Sequence, residues 1–368
     1  MKIPFLKLNE KNANHKKRLL NRFNTILNHG KILNGPEVSE FQDKLARYLK
    51  SKYVVGLSSG SSSLYLSLKA LGVGKGDQVI TTPFTWIITI NAILETGAIP
   101  VFADIKDDFN IDPIEIKKLI NSKTKAIVPV HIGGHMCEMS EISKLAKDHN
   151  LHIVEDAAQA ICGSLNGIKA GKFSSVASFS LNPMKVLNAY GECGFISTDN
   201  LKLKKKIEIL RHAGTLPDPK KININNCINS SLNHKIDTIQ ASFVIENLKN
   251  LHNKWLKRDL IAKKYDLEFN GLLQTQSYHK NEKHGRYLYI SISEDRNRLY
   301  NFLKKKGIEC KIFYSPLACD APIFKSKHKG QVPISRKLLN KSISLPLHEN
   351  LKMREVDYII KMVKNFFN

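Results

Sequence analysis

The 368-residue sequence lacks any apolar run long enough to cross a bilayer. Its longest apolar segment, around residues 84–94, is interrupted by Thr85, Thr89 and Asn91, whereas a spanning helix needs about 20 predominantly apolar residues. The first seven residues also lack the sustained apolar stretch of a secretory signal. Together these absences predict a cytoplasmic protein without a membrane span.

Cysteine is sparse, and its spacing excludes the common uses of cysteine clusters. No two cysteines form a C-x-x-C pair, and none has a partner at the spacing of a zinc site, so the sequence predicts no metal centre. Separated free thiols are typical of a reducing compartment, which again favours the cytoplasm. The six residues are Cys137, Cys162, Cys193, Cys227, Cys310 and Cys319.

Acidic residues are few relative to basic ones. The chain holds 57 Lys and Arg against 33 Asp and Glu, a formal net charge of +24. Residues 201–368 carry 33 basic against 15 acidic residues, whereas residues 1–200 carry 24 against 18. A basic half suggests nucleic-acid binding, and a non-catalytic basic binding protein remains an alternative. The lysines are scattered, however, without a Gly-Arg tract or an aromatic-basic motif. We therefore predict no specific nucleic-acid partner and favour an anionic substrate.

Short β-branched runs alternate with helix-like segments from residue 53 to about residue 200. This alternation is typical of an α/β domain with a mostly parallel sheet and helices on both faces. The later segments indicate a compact α+β unit, with one long helix over 235–265, strands over 287–292 and 310–314, and helices over 295–306 and from 353 onward. We therefore expect a large domain over residues 1–245 and a smaller C-terminal domain over residues 246–368.

Asp156 and Lys185 are the strongest candidates for chemistry. Asp156 ends the apolar run 151–156, Lys185 follows the run 176–184, and each run is typical of a buried strand. Because open α/β sheets bind ligands beyond the carboxyl ends of their strands, we expect both side chains in one crevice. Such a pair can hold pyridoxal 5′-phosphate (PLP): the amine bonds to the aldehyde, and the carboxylate keeps the ring nitrogen protonated. Lys185 would then serve as nucleophile and proton carrier. Taken alone, Asp156 could instead cap a helix.

Several further residues complete the predicted cofactor site. Gly60 and Ser61 lie in a serine-rich turn between a strand and an apolar helix, where free N–H groups and hydroxyls can cradle a phosphate. Ser180 could add a hydroxyl, although an ordinary capped turn is the alternative. Trp86 could stack on the pyridine face or belong to the core. Gln159 could donate a hydrogen bond to the phenolic oxygen of the cofactor.

These motifs resemble those of the DegT/DnrJ/StrS-type aminotransferases, fold-type I PLP enzymes that aminate keto sugars. The likeness covers nearly the whole chain. Two matches are specific: Glu-Asp-Ala-Ala-Gln-Ala at residues 155–160, like the family's pyridine-nitrogen motif, and Ser-Leu-Asn-Pro-Met-Lys at residues 180–185 with the glycine-rich 191–194, like its lysine segment. Weaker matches lie at residues 34–41, at the phosphate turn 59–64, and at 82–86, which carries the stacking aromatic.

The resemblance implies an L-glutamate donor, a nucleotide-linked keto-sugar acceptor, a role in surface polysaccharide biosynthesis, and a homodimer with active sites at its interface. By the same match, Asn233 would reach the partner's cofactor phosphate, although alone it is more typical of a helix cap. Lys235, Cys193 and Phe313 replace a usual arginine, a glycine and a frequent histidine, so a small keto phosphate stays open as acceptor. Related sugar dehydratases carry histidine at the lysine position, and retention of Lys185 argues against that reaction.

Overall fold

A computed structural model describes residues 1–216, 226–324 and 331–368, and it confirms the predicted α/β architecture. The strands are β1 (Tyr53–Leu57), β2 (Gln78–Thr81), β3 (Ile99–Phe102), β4 (Thr124–Val128), β5 (His152–Asp156), β6 (Ser164–Leu165), β7 (Ile168–Lys169), β8 (Val176–Ser180), β9 (Gly194–Thr198), β10 (Gln274–Thr275), β11 (Glu282–Lys283), β12 (Tyr289–Ile292) and β13 (Ser342–Leu345). The α-helices are α1 (Ala13–His29), α2 (Pro36–Leu49), α3 (Gly60–Ala70), α4 (Ile88–Leu94), α5 (Pro113–Leu119), α6 (Met139–Asp148), α7 (Leu201–Arg211), α8 (Thr238–Lys249), α9 (Leu251–Glu268), α10 (Arg296–Lys305), α11 (Pro333–Lys341) and α12 (Met353–Phe367).

A seven-stranded sheet in the order β1-β9-β8-β5-β4-β2-β3 forms the centre of the fold. The stretch from β8 to β3 is parallel, and β9 runs antiparallel to both of its neighbours. The sheet is therefore mostly parallel, as predicted. Because β5 and β8 are parallel neighbours, the chain segments beyond their carboxyl ends lie side by side.

Helices cover both faces of this sheet, since alternate residues of each strand point to opposite sides. Val54 and Phe195 belong to a core cluster shared with α2 and α8. Their chain neighbours Val55 and Ile196 belong to a second cluster shared with α3 and α7. Burial on both faces explains why these strands appear in the sequence as continuous apolar runs.

The C-terminal part packs around a second sheet in the order β10-β12-β13. Its core combines residues of α9, α10 and α12 with Ile3 from the start of the chain. The Ile3 N–H donates to the Gly307 carbonyl at 2.8 Å, and the Ile3 carbonyl accepts from Glu309 at 2.9 Å. The first residues of the chain thus pack on the C-terminal part, and a division between residues 245 and 246 remains a prediction.

The strand predicted over residues 310–314 is wrong. Lys311 exchanges two backbone hydrogen bonds with Ser344, but this contact is an isolated bridge. The chain then turns, which brings the Tyr314 ring to 5.9 Å from the Phe84 ring in the core between the two sheets. The apolar and β-branched composition of this segment therefore reflects burial rather than sheet pairing.

The single long helix predicted over residues 235–265 is also wrong. Lys235 and Asp237 form isolated bridges with Leu57 and Leu33. Asp237 then caps α8 by accepting a hydrogen bond from the Gln240 N–H at 2.6 Å. The chain leaves helical geometry at Asn250 and resumes as α9. Asp237 is a residue type that favours the N-cap position. The apolar periodicity continues across it, so the sequence pattern did not show that a helix begins there.

No helix in the three described ranges combines the length and apolar character that crossing a membrane requires. All six cysteines carry free thiols, and Cys227 is the exposed member of the set.

Candidate active site

Asp156 ends β5 with its carboxylate buried at the edge of the sheet; the residue is 4% exposed. Oδ2 accepts a hydrogen bond from the Thr89 hydroxyl at 2.9 Å, and Oδ1 accepts from the Ala158 N–H at 3.2 Å. Residues 157–162 contain two turns and no helix, so Asp156 does not cap a helix. Burial raises the pKa of this carboxyl, while Thr89, Ala158, Lys185 and His131 oppose the rise. The site therefore leaves the carboxylate short of positive charge.

Lys185 lies in the loop after β8, where its backbone N–H donates to the Asn182 carbonyl at 2.8 Å. Its ammonium group lies 4.3 Å from the centroid of the Tyr287 ring, within the range of a cation–π contact. Lys185 is among the groups that oppose the rise in the pKa of Asp156, and the two residues lie at and beyond the carboxyl ends of the neighbouring parallel strands β5 and β8. The structure thus brings together the pair that the sequence analysis singled out.

Gln159 is buried beside this pair with both ends of its amide engaged. Oε1 accepts from the Gly133 N–H at 2.8 Å, and Nε2 donates to the Tyr314 hydroxyl at 2.9 Å. Burial, with Tyr287 and Asp156 nearby, raises the pKa of Tyr314, so its hydroxyl keeps its proton. A second N–H of Nε2 remains for a ligand, and the predicted contact of Gln159 with the cofactor stays a prediction.

His131 and Glu155 form a buried layer behind Asp156. The Cys137 N–H donates to Nδ1 of His131 at 3.1 Å, so the ring proton lies on Nε2, 3.2 Å from Glu155. Glu155 also accepts from the N–H groups of Gly171 and Phe173 at 2.7 and 2.9 Å. These bonds tie the end of β5 to the loop after β4 and to residues 171 and 173.

The predicted phosphate turn lies at the N-terminus of α3. Ser59 caps the helix by accepting from the Ser62 N–H at 3.1 Å, and no hydrogen bond within the described ranges engages the N–H groups of Gly60 and Ser61. A Cβ on Gly60 would lie 2.6 Å from Cβ of Ser180, so the turn and Ser180 are in direct contact. The capped turn and the phosphate cradle are therefore compatible, because the cap leaves two donors free.

The other two predicted residues are exposed. Trp86 is 62% exposed, so it is not a core residue, and its neighbour Thr85 hydrogen-bonds to Thr89 at 3.0 Å beside Asp156. Asn233 is exposed and accepts from the Lys235 N–H at 3.2 Å rather than capping α8. The stacking role of Trp86 and the partner-subunit role of Asn233 stay predictions.

Several residues that line or support this site were not predicted from the sequence. His234 lies 2.9 Å from the Ser62 hydroxyl beneath the phosphate turn, whereas the sequence motifs indicated its neighbour Asn233. His131 directly follows an apolar strand-like run, so the rule that located Asp156 would have found it as well. Thr89, Tyr287 and Tyr314 carry no such signal, because separate segments deliver them to the site.

These features fit PLP. The buried carboxylate needs a cation, which a protonated ring nitrogen provides. The free N–H groups at the α3 terminus and Ser180 offer donors to a phosphate, and the Lys185 amine lies near enough to Asp156 to interact with it electrostatically. A mostly parallel sheet with this lysine–carboxylate pair at its edge defines the class of fold-type I PLP-dependent enzymes.

Comparisons with known proteins identify the family within that class. The model of the DegT/DnrJ/EryC1/StrS aminotransferase family matches residues 13–364. The dTDP-3-amino-3,6-dideoxy-alpha-D-galactopyranose transaminase of Aneurinibacillus thermoaerophilus is 31% identical over 99% of this chain and 99% of its own. The 3-oxo-glucose-6-phosphate:glutamate aminotransferase of Bacillus subtilis is 31% identical over 98% of this chain and 82% of its own.

A solved structure agrees. The crystal structure of NtdA from Bacillus subtilis with bound cofactor PMP matches with a TM-score of 0.90 and 29% identity, covering 99% of this chain and 85% of that one. The chain therefore belongs to the DegT/DnrJ/EryC1/StrS aminotransferase family, and it is a PLP-dependent aminotransferase.

Proposed function

We propose that the enzyme transfers an amino group from L-glutamate to a nucleotide-linked keto sugar, in the cytoplasm, for surface polysaccharide biosynthesis. The observation that carries the acceptor assignment is a cavity of about 740 Å³ beside Lys185. Ligand pockets for small molecules span roughly 300–1,000 Å³, so this space accommodates a nucleotide with its sugar. The free thiols support a reducing compartment.

An acceptor bound in this cavity would meet the lysine side of the cofactor. In the cofactor ring, the nitrogen and the carbon that bears the aldehyde occupy opposite ends, so the acceptor has to approach from the lysine side rather than from the carboxylate side. The cavity lining includes Lys185 and its neighbours Pro183 and Met184, and it does not include Asp156.

The lining is basic, which favours an anionic acceptor. Arg258 forms an ion pair with Glu349 at 2.9 Å, so these two charges largely neutralise each other. Burial lowers the pKa of Lys254, Glu349 opposes the shift, and Arg258 adds to it. A diphosphate beside Lys254 would stabilise its charged form. The basic side chains of the lining besides Lys185 are Lys7, Lys11, Arg18, Lys254, Lys257 and Arg258.

Each residue of the site has a proposed task. When bound, PLP supplies an electron sink for the charge that develops on the carbon losing its proton. Lys185 Nζ would take that proton and return it, and Asp156 would hold positive charge at the ring nitrogen. The N–H groups of Gly60 and Ser61, with the Ser180 hydroxyl, would hold the phosphate, while Trp86 would cover the ring.

The relatives support both the donor and the acceptor class. One is named for a dTDP-linked amino sugar, and another for glutamate with a 3-oxo-glucose-6-phosphate. The second name keeps a small keto phosphate as the alternative acceptor. The size of the cavity favours the nucleotide-linked compound, because a hexose phosphate would leave much of it to water.

The deciding experiment offers L-glutamate with a panel of nucleotide-linked keto sugars and keto hexose phosphates, and detects amination by the mass of the product. We expect turnover with a nucleotide-linked member and none in Lys185→Ala. Turnover confined to hexose phosphates would overturn the acceptor assignment, and amination by the Lys185→Ala enzyme would overturn the site itself.

A variant pair tests the basic lining. Lys254→Met should raise KM for the nucleotide-linked acceptor about 10-fold, the size of one lost charge-assisted hydrogen bond, with little change in kcat. Lys263→Met is the matched control, because Lys263 is an exposed residue of the same helix, outside the cavity. An equal rise in KM in both variants would point to general charge rather than to this cavity.

A further inference from the structure

A cluster of polar side chains that the aminotransferase reaction does not use lies beside the loop after β4. His135 belongs to this loop, Asp108 precedes α5, and His279 and Glu282 come from the segment before β12. The side chains of Asp108, His135 and Glu282 are buried, and His279 is half-buried. One ligand atom each from Asp108, His135 and His279 lies within 4.8 Å of the others.

Each of these three residues is oriented by a hydrogen bond at its other polar atom. Asp108 Oδ1 accepts from the Asn110 N–H at 2.9 Å. His135 Nδ1 lies 2.6 Å from Glu282, and His279 Nε2 lies 3.0 Å from the Met136 carbonyl. Metal-binding histidines are held in the same way, with the second ring nitrogen donating to a carboxylate or a backbone carbonyl.

The atoms left for a ligand are Asp108 Oδ2, His135 Nε2 and His279 Nδ1. His135 Nε2 and Asp108 Oδ2 face each other at 3.4 Å. If the His135 ring carries its proton on Nδ1 and donates it to Glu282, Nε2 is unprotonated. The lone pairs of Nε2 and Asp108 Oδ2 then face each other and repel unless a cation lies between them. In the described part of the chain, His279 Nδ1 has no hydrogen-bond partner, and its half-buried position leaves a route from solvent.

We propose that Asp108, His135 and His279 bind a divalent transition metal, with Zn²⁺ the best match. Two imidazoles and one carboxylate are a common Zn²⁺ donor set, and a water completes the tetrahedron. The dication balances the carboxylates of Asp108 and Glu282. Zn–N and Zn–O bonds of about 2.0–2.2 Å put the ligand atoms of a tetrahedral site roughly 3.3–3.5 Å apart. His135 Nε2 and Asp108 Oδ2 already have this separation, so binding would mainly draw His279 Nδ1 inward.

The site would brace one wall of the active site. The N–H groups of Tyr287 and Leu288 both donate to the Gly133 carbonyl at 3.0 Å, within the loop that carries His135. Tyr287 faces the Lys185 ammonium group. A metal bound by both His135 and His279 would therefore fix the position of this loop relative to the segment that carries Tyr287. The ligands are far apart in the sequence, which is why cysteine and histidine spacing gave no sign of them.

The competing interpretation is a buried ion pair. Burial lowers the pKa of His135, but hydrogen bonds to Asp108 and Glu282 outweigh it and raise the value to about 9. A proton on Nε2 would then take the place of the metal. This arrangement makes no use of His279, so a His279 variant separates the two interpretations.

The test uses the PLP-loaded enzyme, stripped with EDTA and dialysed, and then titrated with Zn²⁺ against a chromophoric chelator. We expect about one Zn²⁺ per chain by elemental analysis and a rise in Tm on Zn²⁺ addition. Asp108→Asn and His279→Gln should each weaken binding at least about 10-fold. His252→Gln, at an exposed histidine of α9, is the matched control and should bind as the parent does.

The half-buried His279 tolerates substitution better than Asp108, so His279→Gln keeps the test decisive if Asp108→Asn fails to fold. Less than about 0.1 Zn²⁺ per chain with no saturable binding would overturn the proposal. Equal affinity in His279→Gln and the parent would overturn it too, since binding would then lie elsewhere.

Discussion

Asp156 is a buried carboxylate with two neutral hydrogen-bond donors, and burial raises its pKa. At neutral pH its ionised form therefore destabilises the cofactor-free fold relative to the unfolded chain, where the carboxyl titrates near its ordinary 3.8. The same deficit of positive charge makes the site selective for a ligand with a protonated ring nitrogen. Function and stability are in opposition at this residue.

Asp156→Asn should remove that opposition. We expect activity to fall by about 10²-fold or more, the size typical of a lost electrostatic partner, whereas Tm of the cofactor-free enzyme at pH 8 should equal or exceed that of the parent. Because the folded-state pKa is raised, the penalty is present above that pKa and disappears as the pH falls below 3.8. Thermal unfolding across this pH range checks the sign. Asp148→Asn, at an exposed position of α6, is the control, and a marked drop in Tm for Asp156→Asn alone would contradict the account.

Tyr287 acts on Lys185 through the face of its ring, at 4.3 Å. Tyr287→Phe keeps that face and should retain kcat within a few-fold, whereas Tyr287→Leu should lower kcat, because the cation–π contribution of about 0.5–2 kcal/mol is lost. Stopped-flow absorbance of the glutamate half-reaction isolates the step in which the lysine moves the proton. Equal loss in both variants would assign the effect to the hydroxyl instead.

At the residue scale, the sequence located side chains that lie beside a recognisable element. Asp156 ends the apolar strand β5 and Lys185 lies beyond β8, so their shared crevice could be predicted, while their catalytic roles stay predictions. Thr89 and Tyr287 contact the same pair from other segments. Their positions depend on tertiary packing that a single sequence does not encode locally.

At the scale of elements, β9 and the phosphate turn are packed without room for a side chain. A Cβ on Gly194, the first residue of β9, would lie 2.4 Å from the Ser59 carbonyl carbon and 2.6 Å from the Gly60 nitrogen. These are backbone atoms, which cannot move without shifting the turn that faces Ser180. The glycine therefore sets the position of the N-terminus of α3.

Gly194→Ala should displace this turn. We expect PLP affinity to fall at least about 10-fold and stability to drop by about 1–3 kcal/mol, as for other overpacked sites. Equilibrium dialysis and urea unfolding provide the two readouts. Gly74→Ala is the matched control, because a Cβ there meets its nearest atom at an ordinary 3.8 Å. A Gly194→Ala enzyme that binds PLP as the parent does would exclude this turn as the phosphate site.

Strands were predictable from the sequence where a buried apolar run also pairs with a neighbouring strand. The parallel strands β2, β4 and β5 are apolar runs bounded by turns, and they form as expected. Residues 310–314 have a similar composition but pair at one position, because Tyr314 leaves the sheet to reach Gln159. The apolar composition of a segment indicates that it is buried. Whether the segment joins a sheet depends on whether a neighbouring strand is available to pair with it.

At the scale of the whole molecule, several large apolar side chains that are close in sequence to predicted site residues are exposed. Trp86, Met184, Tyr190 and Leu232 are 62%, 50%, 38% and 71% exposed. Trp86 and Met184 lie within the sequence motifs of the predicted cofactor site, Tyr190 directly precedes the glycine-rich segment 191–194, and Leu232 precedes Asn233. We propose that a second copy of the chain covers this face, so that the homodimer completes two sites.

Mixing two inactive variants tests whether Asn233 acts across that interface. If each site combines Lys185 of one chain with Asn233 of the other, a hybrid of Lys185→Ala and Asn233→Ala chains contains one wild-type site and one doubly altered site. Co-refolded mixtures should then regain up to about a quarter of the parent activity, since half of the dimers are hybrids with one working site each. If Asn233 acts within its own chain, the hybrid contains no wild-type site, and activity stays at the average of the two variants.

Differently tagged chains, purified through both tags, allow the activity of the hybrid to be measured directly. Light scattering on the parent enzyme gives the independent check, because a monomer that retains full activity would leave Asn233 no partner to reach.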